Sequence, residues 1–284
     1  MTPNSQTNQL LGYPADARLL IINADDFGMC HAVNEAIIGA LTAGVVRSTS
    51  LMVPCPGTLQ ATRFLADPPH IPFAVHLTAI SDSTHNRWKP VTATEKIPSL
   101  VDKAGYFYDF DHMGEFLAQV KLDQMETEFR TQIEIVLAAG LHPTHLDWHS
   151  LRISNRPDIF HVMFRLAREY GLALRVFIRP LIEKLQSQGF PTNDHDVLDS
   201  YGLDPATKAT HYADLLRNLP VGLSEWAVHP GLDSAELSAL EPGGNHIRQT
   251  DYDFLVSQAA KDIIQKEGII LLDYRAIQTV WQTI

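Results

Sequence analysis

Cysteine is scarce in this chain: Cys30 and Cys55 are its only two in 284 residues. They form no C-x-x-C pair, so a metal site built of thiolates alone is excluded, and small core residue is the favoured reading of each over a disulfide. Long apolar runs are missing too. Nothing approaches the ~20 residues of a membrane span. The polar segment Met1–Asp16 has no apolar run behind a basic start, so no signal peptide is expected and the expected location is the cytoplasm. Cations are in deficit, with 22 Lys and Arg against 33 Asp and Glu and a net charge of −11. Such a chain has little with which to neutralise phosphates, which argues against nucleic acid or an anionic membrane as partner. It also lacks a Gly-rich loop of the kind that cradles phosphate.

What remains is a folding composition, 45% hydrophobic and 19% charged. Short apolar runs alternate with helical spacing. Leu19–Ile22 reads as a buried strand, and Val33, Ile37 and Leu41 as one face of a helix that Gly44 stops. Strands are expected near 49–53, 73–77, 144–147, 172–177, 226–228 and 269–272. Helices are expected near 58–65, 125–140, 157–170 and 206–219, and around Leu255, Ala259 and Ile263. The segments 78–113 and 180–204 read as long loops, the first carrying Trp88, Tyr106, Phe107, Tyr108 and Phe110. Of these, Trp88, Tyr106, Phe107 and Tyr108 suit sugar stacking or packing of the loop onto the domain equally well. The βα alternation over 18–284 predicts a single α/β domain with about seven parallel strands, which favours a barrel over an open sheet. Residues 1–17 read as a flexible N-terminal extension.

In either topology the chemistry belongs at the C-terminal strand ends. Asp25 and Asp26 follow the first strand, and His76 ends another. His145, Asp147 and His149 lie at the end of a third, and His229 follows a fourth. Each has a plain alternative: an N-cap near Cys30 for the acids, a core histidine for His76, a structural pair for His145 and Asp147, and a turn for His229-Pro230-Gly231. Recurrence at one topological position favours a site, and acids with spaced histidines suit a divalent metal with N and O ligands. Alternation puts residues 145, 147 and 149 on one face, with His149 nearest the mouth. His149 is therefore the ligand candidate, and His145 and Asp147 are candidates to orient ligands by hydrogen bonds.

The strings Leu20-Ile21-Ile22-Asn23-Ala24-Asp25-Asp26-Phe27-Gly28, Val75-His76-Leu77, Pro143-Thr144-His145-Leu146-Asp147-Trp148-His149 and Val228-His229-Pro230-Gly231 resemble the YdjC-like carbohydrate deacetylases and their hopanoid-associated relatives. Their order and spacing match from about 18 to 275. The resemblance implies a distorted TIM-like (β/α) barrel and a metal-dependent hydrolase that removes the acetyl group from an N-acetylated amino sugar or small oligosaccharide. It implies Asp26, His76 and His149 as ligands of one divalent ion, magnesium or zinc first, with manganese, cobalt or nickel as alternatives. Asp25 is implied as general base, His229 as acid, and Arg175 as a residue that contacts substrate or orients the base. Where relatives often carry more histidines after the third string, this chain has Ser150-Leu151-Arg152. Two other readings stand beside it: another metal-dependent amidase or phosphoesterase on the same scaffold, and a non-catalytic sugar-binding relative. A homodimer is allowed by fold-level analogy.

Overall fold

The computed structural model describes residues 5–68 and 70–284. The first elements are helix α1 (Gln6–Leu10), strand β1 (Arg18–Phe27), α2 (His31–Ala43), β2 (Ser48–Leu51), α3 (Thr58–Ala66) and β3 (Phe73–Leu77). The long segment that follows leads to α4 (Met113–Gln119), α5 (Leu122–Ala138), β4 (His145–Trp148), α6 (Pro157–Tyr170), β5 (Ala173–Leu174), α7 (Arg179–Ser187) and β6 (Leu198–Asp199). The chain ends with α8 (Lys208–Arg217), β7 (Gly222–Val228), α9 (Ala235–Leu240), α10 (Gly244–Val256), α11 (Gln258–Lys266), β8 (Ile270–Leu272) and α12 (Tyr274–Trp281).

All strand pairs are parallel, in the order β5-β4-β3-β2-β1-β7-β6, with β8 also on β1. The result is a curled sheet wrapped by helices, a distorted TIM-like barrel. Among the described residues no ladder joins β5 to β6, so hydrogen bonding does not close the ring. β1 is the central staple. Its first half lies between β7 and β8, and its second half between β7 and β2. Leu19, Leu20, Ile21 and Ile22 are therefore all fully buried, as a parallel strand covered on both faces requires.

Several expectations change. Residues 180–204 are not one loop. Pro180 opens α7, and Ile182 and Leu185 bury one face of it. β6 and a 3-10 turn at Ser200–Gly202 follow. The late helix breaks at Ser257, which caps α11 by accepting from the backbone N–H of Ala260. The segment 78–113 is mostly irregular, as expected. It is nonetheless a packed body, with Ile80, Trp88, Ile97, Leu100 and Phe107 in the core. Of the expected extension 1–17, residues 1–4 lie outside the described residues. The rest is tied down: Thr7 Oγ1 donates to the Thr192 carbonyl at 2.7 Å, and Asn8 Nδ2 to those of Pro14 and Ala17. Cys30 and Cys55 are free and buried. No helix among the described residues is long and apolar enough to cross a membrane.

Candidate metal and proton-transfer site

Adjacent strand residues normally face opposite sides of a sheet. Asp25 and Asp26 break that rule. The β1–β2 register shifts between Ala24 and Phe27, and Asp26 takes a left-handed φ of 70°. This bulge turns both carboxylates to one side, where each lies beside His76. Gly28, with φ of 100°, completes the turn. A Cβ there would meet the Met52 carbonyl oxygen at 3.0 Å. Neither acid caps α2, whose N-cap is Cys30. Glu236 instead accepts from the Ala32 backbone N–H at 2.9 Å.

The ligand-type atoms of Asp26, His76 and His149 all lie within 4.8 Å of one another, and all three residues are buried. Asp26 Oδ1 is 3.1 Å from His149 Nδ1 and 3.6 Å from His76 Nε2. Its Oδ2 accepts from Arg248 at 2.9 Å. Asp26 therefore presents one oxygen to the imidazoles. The far side of each ring is held by a carboxylate: His76 Nδ1 bonds Asp147 Oδ1 at 2.7 Å, and His149 Nε2 bonds Asp82 Oδ1 at 2.7 Å. Carboxylates on the outer nitrogens are the arrangement that fixes tautomer and ring direction in histidine metal sites.

Charge bookkeeping leaves room for a dication. Asp25, Asp26, Asp147 and Glu225 are at most 5% exposed, as are Arg175 and Arg248. Four potential negative charges thus face two positive ones. Two imidazolium protons or one divalent ion would restore the balance. Burial pushes His76 down, but Asp147, Asp26 and Asp25 outweigh it and hold the ring at about 10. His149 is likewise held at about 9, mainly by Asp82 and Asp26 acting against burial. Burial raises the Asp26 carboxyl, yet Arg248 and the two histidines bring it well below the usual range. A second possible donor group, Asp25, His76 and Asp147, shares His76 with the first. Both carboxylates of that second group are already held by Arg175, at 2.7 Å and 3.0 Å.

Arg175 grips Asp25 with a fork, NH1 to Oδ2 at 2.7 Å and NH2 to Oδ1 at 2.9 Å. The same guanidinium bonds Glu225 at 2.7 Å and lies 3.0 Å from Asp147. Asn23 donates to Asp25 Oδ1 at 2.7 Å. Of the four lone-pair sites on a carboxylate, three are used, and one on Oδ2 remains. Asp25, His76, His149, Arg175 and His229 line a cavity of about 450 Å³, together with Phe110, Trp148 and Phe177. Register places Ala24 beside Val228, so Asp25 and His229 emerge from neighbouring strands.

Two expectations take a different form. His145 makes no hydrogen bond to the cluster or to Asp147. Its Nδ1 faces Thr144 Oγ1 at 3.0 Å, and its ring stacks on Tyr274 at 3.5 Å. It therefore orients no ligand by a hydrogen bond. Of the aromatics in 78–113, Trp88 and Phe107 are core residues, and only Phe110 reaches the cavity. Asp82, Glu225, Ser200, Arg248 and Asp251 were not singled out by sequence. Glu225, charged inside an apolar strand, carried a readable signal. The others sit on a loop, a turn and a weakly amphipathic helix.

The chain matches the model of the family described as YdjC-like protein over residues 19–266. It is 32% identical over 263 residues to a protein of Enterococcus faecalis named carbohydrate deacetylase, covering 91% of this chain and 97% of that one. Over 160 residues it is 32% identical to a chitooligosaccharide deacetylase of Yersinia enterocolitica, covering 56% and 59%. A solved structure from Enterococcus faecalis, described as a candidate cellobiose-phosphate cleavage protein, superposes with a TM-score of 0.80 at 31% identity. It covers 92% of this chain and 99% of that one.

Proposed function

Because the chain belongs to the YdjC-like family, we propose that it is a metal-dependent hydrolase that releases acetate from an N-acetylated amino sugar or a short oligosaccharide of such sugars. The observation that carries this reading is the β1 bulge. It turns one acid of a consecutive pair to two histidines and leaves its neighbour with a free lone pair beside the same cavity. Asp26, His76 and His149 would hold the ion, which supplies Lewis acidity towards an acyl oxygen and lowers the pKa of water. A single ion on this group fits amide hydrolysis, whereas phosphoester chemistry usually calls for two metals or a cationic clamp.

The roles of the side chains follow from their partners. Asp25 accepts the proton of the attacking water on its unused Oδ2 lone pair, and the Arg175 fork holds that oxygen in place. As the C–N bond breaks, His229 gives a proton to the departing amine nitrogen, so water ends as acetate oxygen and the sugar leaves as its amine. Asp147 and Asp82 keep the ligand nitrogens of His76 and His149 turned inward. Trp148, Phe177 and Phe110 supply apolar faces at the cavity wall for sugar rings.

Asp25→Asn keeps the shape and removes the proton acceptor. Acetate release from N-acetylglucosamine oligomers should fall about 10²–10⁴-fold, while metal content, measured by elemental analysis after dialysis, stays at the wild-type level. Wild-type turnover by this variant would sink the role given to Asp25.

A further inference from the structure

Behind His229 the protein buries more polar chemistry than a turn requires. Asp251, on α10, is fully buried. Its Oδ1 accepts from Lys208 Nζ at 2.9 Å and from the Tyr212 hydroxyl at 2.9 Å. Those two bonds tether α8 to α10. Its Oδ2 does something separate: it accepts from Ser200 Oγ at 2.6 Å and from the His229 backbone N–H at 2.8 Å. Ser200 is fully buried too, and its Oγ lies 2.9 Å from His229 Nδ1.

Proton counting settles the direction of this chain. A carboxylate can only accept, and a serine hydroxyl has one proton. At 2.6 Å from an ionised acceptor, that proton belongs to the bond with Asp251. Ser200 then offers His229 only a lone pair, so Nδ1 must carry a hydrogen. Among the described residues the one other carboxylate near Nδ1, Asp199 Oδ1, stands at 3.8 Å, beyond hydrogen-bond range. Nε2 has no hydrogen-bond partner among the described residues, and the ring lines the cavity.

We propose that Ser200 and Asp251 are positioning residues that lock His229 as its Nδ1–H tautomer, leaving Nε2 as the atom that exchanges a proton with the reacting group. The proposal rests on the reading of His229 as proton donor. When Nε2–H passes its proton to the amine nitrogen, the ring relaxes to the neutral Nδ1–H form that Ser200 already accepts from. No rearrangement of the ring is needed at that moment.

The test reads tautomer and kinetics separately. In the full chain, ¹⁵N NMR of labelled imidazoles, with His229 assigned through His229→Gln, should show Nδ1 protonated in the wild type. In Ser200→Ala the Nε2–H tautomer should become populated. The kcat for acetate release should fall at least tenfold, with KM within twofold. Ser200→Thr, which keeps the hydroxyl, should restore both signatures, a rescue that a packing defect would not give. An unchanged tautomer in Ser200→Ala overturns the proposal, and so does an unlocked tautomer with wild-type kcat. The tautomer is read without substrate. A wild-type chain that released no acetate would therefore count against the deacetylase reading, while the spectrum still decided the role of Ser200.

Discussion

At the scale of single residues, identical side chains part company according to what surrounds them. His76 and His145 both lie on short strands, and both are buried. His76 sits among carboxylates and is held high, at about 10. His145 lies under Tyr274 with its Nε2 unpartnered, and burial pushes it down to about 3, Asp147 opposing and Arg175 and His76 reinforcing. This has a pH consequence. The unfolded chain binds a proton at His145 near the ordinary value of 6.5, while the folded chain binds none until about pH 3. Between those values unfolding takes up one proton, so stability falls as pH falls, by about 1.4 kcal/mol per unit. His145→Phe removes that contribution. Plotted between pH 6 and 4, its unfolding free energy should have a slope smaller than wild type by about that amount, as measured by urea denaturation. Parallel slopes would overturn the assignment. Asp25, Asp26, His76, His149 and Arg175 could all be named from sequence. Asp82 and Arg248 could not, because a partner contributed by a loop or by the buried side of a weakly amphipathic helix leaves no periodic trace.

At the scale of elements, local pattern and tertiary context disagree where polar side chains enter the interior. Lys208 and Asp251 belong to different helices and are both fully buried. A sequence reading assigns lysine to solvent, since it is almost never buried without a partner. Here the pair, with Tyr212 and the Ile247 carbonyl, fastens α8 to α10. Removing one member leaves the other charge buried and uncompensated. Lys208→Met should cost about 3–5 kcal/mol of unfolding free energy by chemical denaturation, and a loss under 1 kcal/mol would refute the tether. The same context explains α7. Its apolar pair Ile182 and Leu185 follows a proline and lies among polar residues, so it reads as loop until the rest of the core is present to cover it.

At the scale of the whole molecule, closure comes from the C-terminal end. β8 pairs with β1 at Leu19–Ile21, and α12 buries Tyr274, Ile277 and Trp281. Tyr274 donates to Glu225 Oε2 at 2.7 Å, and Trp281 Nε1 to the Pro191 carbonyl at 2.9 Å. Each large apolar side chain contributes about 1.5–3 kcal/mol, and domain stabilities are about 5–15 kcal/mol in total. A chain ending at residue 268 should therefore lose its cooperative unfolding transition in calorimetry. A transition within a few degrees of the full chain would show that β8 and α12 are accessory.

The amino-acid sequence by itself determined the parallel α/β class, the strands that carry the polar groups, and the adjacent acids and spaced histidines of the candidate site. Those properties follow from local periodicity and from the chemistry a residue type can perform. Only the tertiary structure decided which way the side chains face and what they touch. The bulge at Asp26 reverses a side-chain direction that alternation would assign, and α12 lays Tyr274 against His145. Asp82, Arg248 and the Ser200–Asp251 pair reach the site from elements tens to hundreds of residues away. Contacts between such distant segments are set by packing and charge compensation in the folded interior, and neither is encoded in the spacing of neighbouring residues.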